Sequence, residues 1–320
     1  MKIIYAAVTV AVAILLISSV AIPAASLADD PKILDVLVID GQSNAEYGGI
    51  DVCDPVELNQ EYSEKPAHNI LYYGTDSKPA YFWDWSHDLA YSWAAYHLHN
   101  AYDYDNDRWK IGGYEPILGN TISKKSGHDV LVVNMAIGAT KIAELLPDGG
   151  ITGVYSWTLL NHALEQANKR YDGLNMVGVV WAQGEGDAST PVNDYKSSFR
   201  TLMASFDKYG LDDFYIIKTR EYYGGNACTA QAQLAAEYSN VMIATDITET
   251  FTIENGMLDD NPIHYSQKGR TAISNAIKNK IVVPEYHGIT NQYDVLLGAV
   301  ITMMFLACAI LMVKLYSSRR

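Results

Sequence analysis

Ile33-Leu34-Asp35-Val36-Leu37-Val38-Ile39-Asp40-Gly41-Gln42-Ser43-Asn44 is a β-branched apolar run that breaks into a polar turn built on one glycine. A continuous run of this length, rather than an alternating one, suits a strand buried on both faces of a parallel sheet. Five more such runs follow, over 69–73, 130–134, 176–181, 214–219 and 241–245. Longer segments with helical spacing lie between them, over 155–171, 193–209, 229–238 and 266–280. Alternation of this kind predicts βαβ units and a mainly parallel sheet covered by helices on both faces, an α/β/α sandwich of three layers. Ligands of such sheets bind outside the carboxyl ends of the strands, so the residues just after each run are where chemistry is sought. The connection between Thr75 and His128 is long for a crossover and is expected to carry an insertion or cap over that crevice.

Outward from this middle, the two ends of the 320-residue chain set its expected compartment. Lys2, an apolar run from Ile3 to Val20, and small residues up to Ala28 before Asp29 and Asp30 read as a secretory signal cleaved after Ala28. Val295 to Val313 carries no charge and is long enough as a helix to cross most of a ~30 Å hydrocarbon core. Lys314, Arg319 and Arg320 follow it and favour a cytoplasmic tail. The expected organisation is a signal segment over 1–28, one domain over 29–293 lying outside the cell, and a transmembrane anchor with a short basic tail over 294–320.

Lys and Arg number 23 against 37 Asp and Glu, a net charge of −14 that argues against a surface built to neutralise phosphates and so against a nucleic-acid partner. Three cysteines are too few for a disulfide-built scaffold. Cys308 falls in the expected anchor, which leaves Cys53 and Cys228 either as a disulfide or as two buried thiols; spacing alone does not choose.

Four segments carry chemistry. Ser43 sits in a tight turn after the first strand, where a nucleophile or a helix cap would stand. The third run leads into Gly138-Ala139-Thr140, where a glycine lets backbone N–H approach a ligand. The fourth ends in Trp181-Ala182-Gln183-Gly184-Glu185-Gly186-Asp187, an amide donor and two acids at the rim of the same crevice. Asp259-Asp260-Asn261-Pro262-Ile263-His264 sets acids a few residues before a histidine at a helix start, a base with an orienting partner.

In this order the four segments resemble the conserved blocks of the SGNH (GDSL-type) hydrolases, most closely the sialate O-acetylesterase-like branch of carbohydrate esterases. The nucleophile block Gly-Gln-Ser-Asn is matched by Gly41 to Asn44, the second-block glycine by Gly138, and Trp-x-Gln-Gly-Glu-x-Asp by Trp181 to Asp187. The fourth block, Asp-x-x-His, is matched at His264, but Asn261 stands at its acid position and Asp260 one residue earlier. The resemblance implies a flavodoxin-like sheet and two-step acyl transfer without metal or cofactor. It makes Ser43 the nucleophile and His264 the base, and it gives the oxyanion to the N–H groups of Ser43 and Gly138 and the amide of Gln183. Asp260 is assigned as the acid, with Asp259 and Glu185 as alternatives, while Gln42, Asn44, Glu185, Asp187 and Asn261 support the site. The implied substrate is an acetylated carbohydrate, with the membrane as partner only through the C-terminal helix. Two other functions fit the same residues: a catalytically impaired carbohydrate-binding module, and an esterase for lipid or thioester substrates.

Two weaker signals remain. The stretch from Tyr72 to Tyr114 is dense in aromatics, among them Trp85, Trp93 and Tyr96, which are expected mainly to pack a cap, with one or two rings left for sugar. Asp103-x-Asp105-x-Asp107 has the start of a calcium loop, but Arg108 and Tyr114 occupy positions where that loop needs glycine and glutamate, so an acidic surface turn is expected.

Overall fold

A computed structural model describes residues 31–46, 62–74 and 96–286. The expected signal segment, the membrane anchor, Cys53, Cys308, Trp85 and Trp93 lie outside these residues. Among the described residues no helix is long and apolar enough to cross a membrane.

The elements follow as β1 (Ile33–Gly41), β2 (Ile70–Gly74), β3 (His97–Asn100), β4 (Tyr102–Asp103), β5 (Arg108–Trp109), α1 (Glu115–Ser126), β6 (Asp129–Asn134), α2 (Gly150–Asn168), β7 (Gly173–Ala182), α3 (Val192–Asp207), β8 (Phe214–Ile217), α4 (Glu221–Glu237), β9 (Val241–Thr245) and α5 (Gln267–Ile277). Seven strands form one sheet in the order β3-β2-β6-β1-β7-β8-β9. All neighbours in it are parallel except β3, which pairs antiparallel with β2 at the edge.

β1 occupies the centre, and all nine of its residues are buried. Its alternate side chains feed two separate cores. Leu34, Val36 and Val38 pack with Leu160 of α2, Phe199 of α3 and Leu234 of α4. Leu37 and Ile39 pack with Leu118 of α1 and Ile273 of α5. The sheet is therefore covered on both faces, and a strand flanked by apolar layers loses the alternation of a half-exposed one.

Within the long connection the chain forms β3, the β4–β5 hairpin and α1, none of which the sequence reading identified. Tyr73 and Tyr96 pack ring against ring, and Tyr102 packs edge-on to Trp109, so these aromatics serve as core. At the tip of the hairpin Asp103 accepts from the Asp105 and Asn106 N–H groups, and Asp107 accepts from Tyr102 Oη at 2.7 Å. These carboxylates close a turn. Among the described residues no cluster of three or more His, Cys, Asp or Glu side chains is arranged to hold a metal. Cys228 is a free, buried thiol that donates to the Thr219 carbonyl at 2.9 Å, and burial pushes its pKa up to about 11.

Candidate active site

Because β1 and β7 run parallel and end in register at Gly41 and Ala182, the segments that follow them leave the sheet side by side. Gly41 has φ +142°, and a Cβ there would stand 2.2 Å from the Ala182 carbonyl oxygen, so only glycine fits where the strands separate. Gln42 N–H donates to that carbonyl at 3.1 Å, and the Gln42 carbonyl accepts from Ala45 and Glu46 at 2.7 and 2.8 Å. The tight turn this creates holds Ser43 at its half-buried tip. Ser43 N–H has no acceptor among the described residues.

His264 reaches Ser43 from the far end of the chain. Leu258 and Tyr265 form an antiparallel bridge, and Asp259 N–H donates to the His264 carbonyl at 3.0 Å, so residues 258–265 make a small hairpin that delivers the imidazole to the crevice. Ser266 then caps α5 by accepting from Gly269 N–H at 3.1 Å. His264 Nε2 lies 3.0 Å from Ser43 Oγ. In the tautomer protonated on Nδ1, Nε2 accepts from the hydroxyl, the arrangement a nucleophile and its base require.

Asn44 ties the segments together. Its Nδ2 donates to Glu185 Oε1 at 2.7 Å and to the Ile263 carbonyl at 3.1 Å, and its Oδ1 accepts from Tyr265 N–H at 3.0 Å. Tyr114 Oη donates to its carbonyl at 2.7 Å. Gln42 Oε1 accepts from Gly186 N–H at 3.0 Å, which fixes the turn after β7 against the turn after β1. Both residues support the site.

Three of the expected site residues stand as follows. Asp260 is exposed, and its side chain makes no hydrogen bond or ion pair among the described residues. Asn261 spends its Oδ1 on Ile263 N–H at 2.9 Å, within its own turn. Across the hairpin from His264 stands Asp259, and directly opposed residues of an antiparallel pair project to the same face. Spacing along the chain does not reveal which of these acids a two-stranded turn sets opposite the histidine.

The second is Gln183, which is 0% exposed. Its Nε2 donates to Asp187 Oδ2 at 2.5 Å and to the Thr140 carbonyl at 3.3 Å, and Asp187 also accepts from Ile142 N–H and Thr190 Oγ1. Both amide hydrogens are thus engaged inside the protein. The third concerns Gly138, whose N–H donates to Glu46 Oε2 at 2.8 Å; Glu46 is only 4% exposed. Glu46 went unrecognised from the sequence, where nothing distinguishes it from a solvated acid after the turn.

Burial lowers the pKa of His264, with the charge of Arg270 acting in the same direction and Asp259 opposing both. Arg270 is fully buried and donates through Nη1 to the Tyr265 carbonyl, while its Nε and Nη2 have no hydrogen-bond partner among the described residues. Burial raises Asp259 against the pull of Arg270 and His264. Burial likewise raises Glu185, opposed by the Asn44 bond and the charge of Arg220. Asp40, fully buried at the end of β1, is pushed up to about 8 by burial in spite of the Gly41 N–H it accepts at 2.8 Å.

Among solved structures, a protein from Arabidopsis thaliana is 16% identical, with 78% of this chain and 97% of that one covered and a TM-score of 0.50. NanS is 14% identical over 78% of this chain and 97% of its own, with a TM-score of 0.49. At such identities the Arabidopsis likeness supports the fold alone. No curated protein matches the sequence. A family model described as carbohydrate esterase, sialic acid-specific acetylesterase matches residues 33–282, which takes in the whole sheet and all four segments around Ser43. The chain belongs to this family of carbohydrate esterases and is a carboxylic ester hydrolase.

Proposed function

We propose that this chain is a serine esterase that removes O-acetyl groups from carbohydrates, with Ser43 as nucleophile, His264 as base and Asp259 as the acid that orients the imidazole. The observation that carries the reading is the 3.0 Å contact between Ser43 Oγ and His264 Nε2, made by segments 221 residues apart. His264 Nε2 takes the Ser43 proton as Oγ bonds to the acetyl carbon, and the imidazolium returns that proton to the sugar oxygen as the ester C–O bond breaks. Water then repeats the sequence on the acetyl-serine, releasing acetate and restoring Ser43. Ser43 N–H is the ready oxyanion donor. Gly138 N–H joins it once Glu46 withdraws, and Gln183 braces the loop from within.

The purified chain should hydrolyse p-nitrophenyl acetate and release acetate from O-acetylated sugars; turnover equal to that of Ser43→Ala would overturn the reading. The tethered organisation belongs to the same proposal and is supported by the apolar runs at both ends. Deleting 295–320 should release active domain into the medium, and retention on the membrane would count against it. One observation favours a sugar-binding module without turnover, namely that two of the three donors expected for an oxyanion are already engaged. Glycan binding with no acetate release would select it.

A further inference from the structure

Beyond α5 the chain is bonded to the end of the sheet opposite the crevice. Lys125, in the last turn of α1, donates through Nζ to the Lys278 and Ile281 carbonyls at 3.1 and 2.7 Å. Val282 N–H donates to Tyr215 Oη, on the second residue of β8, at 3.0 Å. The Pro284 carbonyl accepts from Asn175 Nδ2 at 2.9 Å, and Asn175 also donates to the fully buried Asp35 near the start of β1 at 2.7 Å. A Cβ on Gly173 would stand 2.1 Å from the Tyr286 hydroxyl, so that ring lies against the first residue of β7. Residues 281–286 therefore form a strap across the amino ends of β8 and β7, whereas Ser43 and His264 meet at the carboxyl ends.

Two lengths fix how a tethered domain can stand. β7 runs ten residues from Gly173 to Ala182, about 30 Å at the rise of a strand, and the serine turn projects beyond its end. Residues 287–294 separate Tyr286 from the apolar run that begins at Val295. Fully extended they reach about 30 Å, and as a flexible coil about 15 Å. A crevice turned down onto the bilayer would lift Tyr286 by the length of the sheet, the turns beyond it and a headgroup layer of roughly 5–7 Å, which together exceed that reach. With the strap turned down, almost none of it is needed. Charge acts in the same direction, because the turns at the crevice end expose Asp194, Glu221, Asp246, Glu249 and Asp260, a rim that an anionic lipid surface repels.

We propose that the strap and the amino ends of the sheet form the face that the domain turns to its own bilayer, with Ser43 opening away from it about 30 Å or more above the lipid surface. The esters within reach are then those on free saccharides or on glycans that project well beyond the headgroups, and acetyl groups on lipids of the same membrane are out of reach. A tether that cannot span two sites leaves their effective concentration for each other near zero, however well the chemistry fits. The inference rests on the tethered organisation proposed above and adds to it the direction in which the esterase works, against the lipid-ester reading of the same residues.

The test places the full chain in dilute vesicles that also carry a glycolipid with one O-acetylated sugar as its headgroup, and compares acetate release from it with release from the same sugar free in solution. A second chain carries about twenty additional Gly and Ser residues between positions 290 and 291, outside the strap, so that the domain can turn over; its turnover of the free sugar reports an intact fold. The unaltered chain should release acetate from the glycolipid at least about tenfold more slowly than the lengthened one, with equal rates on the free sugar. Equal rates of the two chains on the glycolipid would overturn the orientation while leaving the tether and the esterase intact. A chain that does not stay with the vesicles would remove the tether, and this inference with it. No turnover of the free sugar or of p-nitrophenyl acetate by either chain would sink the esterase reading, and with it this account of which esters are reached.

Discussion

The turn after β7 and the hairpin before α5 both border Ser43, and they are built in opposite ways. From Gln183 to Asp187 the side chains are enclosed and committed: Gln183 to Asp187 and Thr140, Asp187 to Ile142 and Thr190, Glu185 to Asn44. From Leu258 to Tyr265 the hairpin is held largely by main-chain bonds, and Asp260, Asn261 and Pro262 are open to solvent. The segment that matches its family block throughout is the frame, and the segment that departs from its block carries the histidine. A buried, satisfied polar network is costly to disturb and rigid, whereas a short exposed hairpin tolerates drift so long as the imidazole stays opposite its partner.

The contrast is tested hardest at the hairpin. Asp259→Asn should lower kcat for p-nitrophenyl acetate by about a thousandfold or more, since the imidazolium loses its stabilising charge, while Asp260→Asn should change it by less than about threefold. A reversed ranking would return the acid to position 260. In the frame, Gln183→Ala leaves the Asp187 carboxylate and the Thr140 carbonyl short of a donor, so urea unfolding should show a loss of about 1–3 kcal/mol. Unchanged stability with a hundredfold fall in kcat would instead make Gln183 an oxyanion donor and erase the contrast.

Asp40 extends the comparison to the strand beneath. Its carboxyl keeps its proton in the fold up to about pH 8 but ionises near 3.8 when the chain unfolds. Unfolding therefore releases a proton between these values, and this residue erodes stability as pH rises through that window. Asp40→Asn should raise Tm clearly at pH 8 and little at pH 4. The smallest effect is on the rate profile. Because burial and Arg270 hold His264 below its ordinary 6.5, the base is free of its proton at lower pH than usual. The acid limb of kcat/KM should have its midpoint below 6.5; a midpoint above it would mean that an ionised carboxylate dominates the imidazole.

Much of this was legible in the chain because the parallel strands are uninterrupted apolar runs, and β9 falls over the very residues the run marked, 241–245. What escaped has physical reasons. β3 is His97-Leu98-His99-Asn100, a polar edge strand with no apolar run to announce it. α1 buries Glu115, Gly119 and Asn120 beside its apolar residues, which blurs helical periodicity. α4 starts eight residues before the expected 229 because it continues across a kink at Gly225, where φ is +44°. At the site, the contact at Ser43 and His264 joins residues that type and position single out, whereas the positions of Asp259 and Glu46 come only from pairings that the fold creates.

The bonds of Asn44 also set a clock. Its partners at 263 and 265 leave the ribosome 219 and 221 residues after it does. At roughly 5–20 residues per second, that interval is about 10–45 seconds during which β1 and its serine exist without a histidine beside them. With His264 in its proposed role, a nascent chain that halts anywhere before the hairpin is inert towards esters, and the onset of activity marks the moment the C-terminal part of the fold has closed on the first strand.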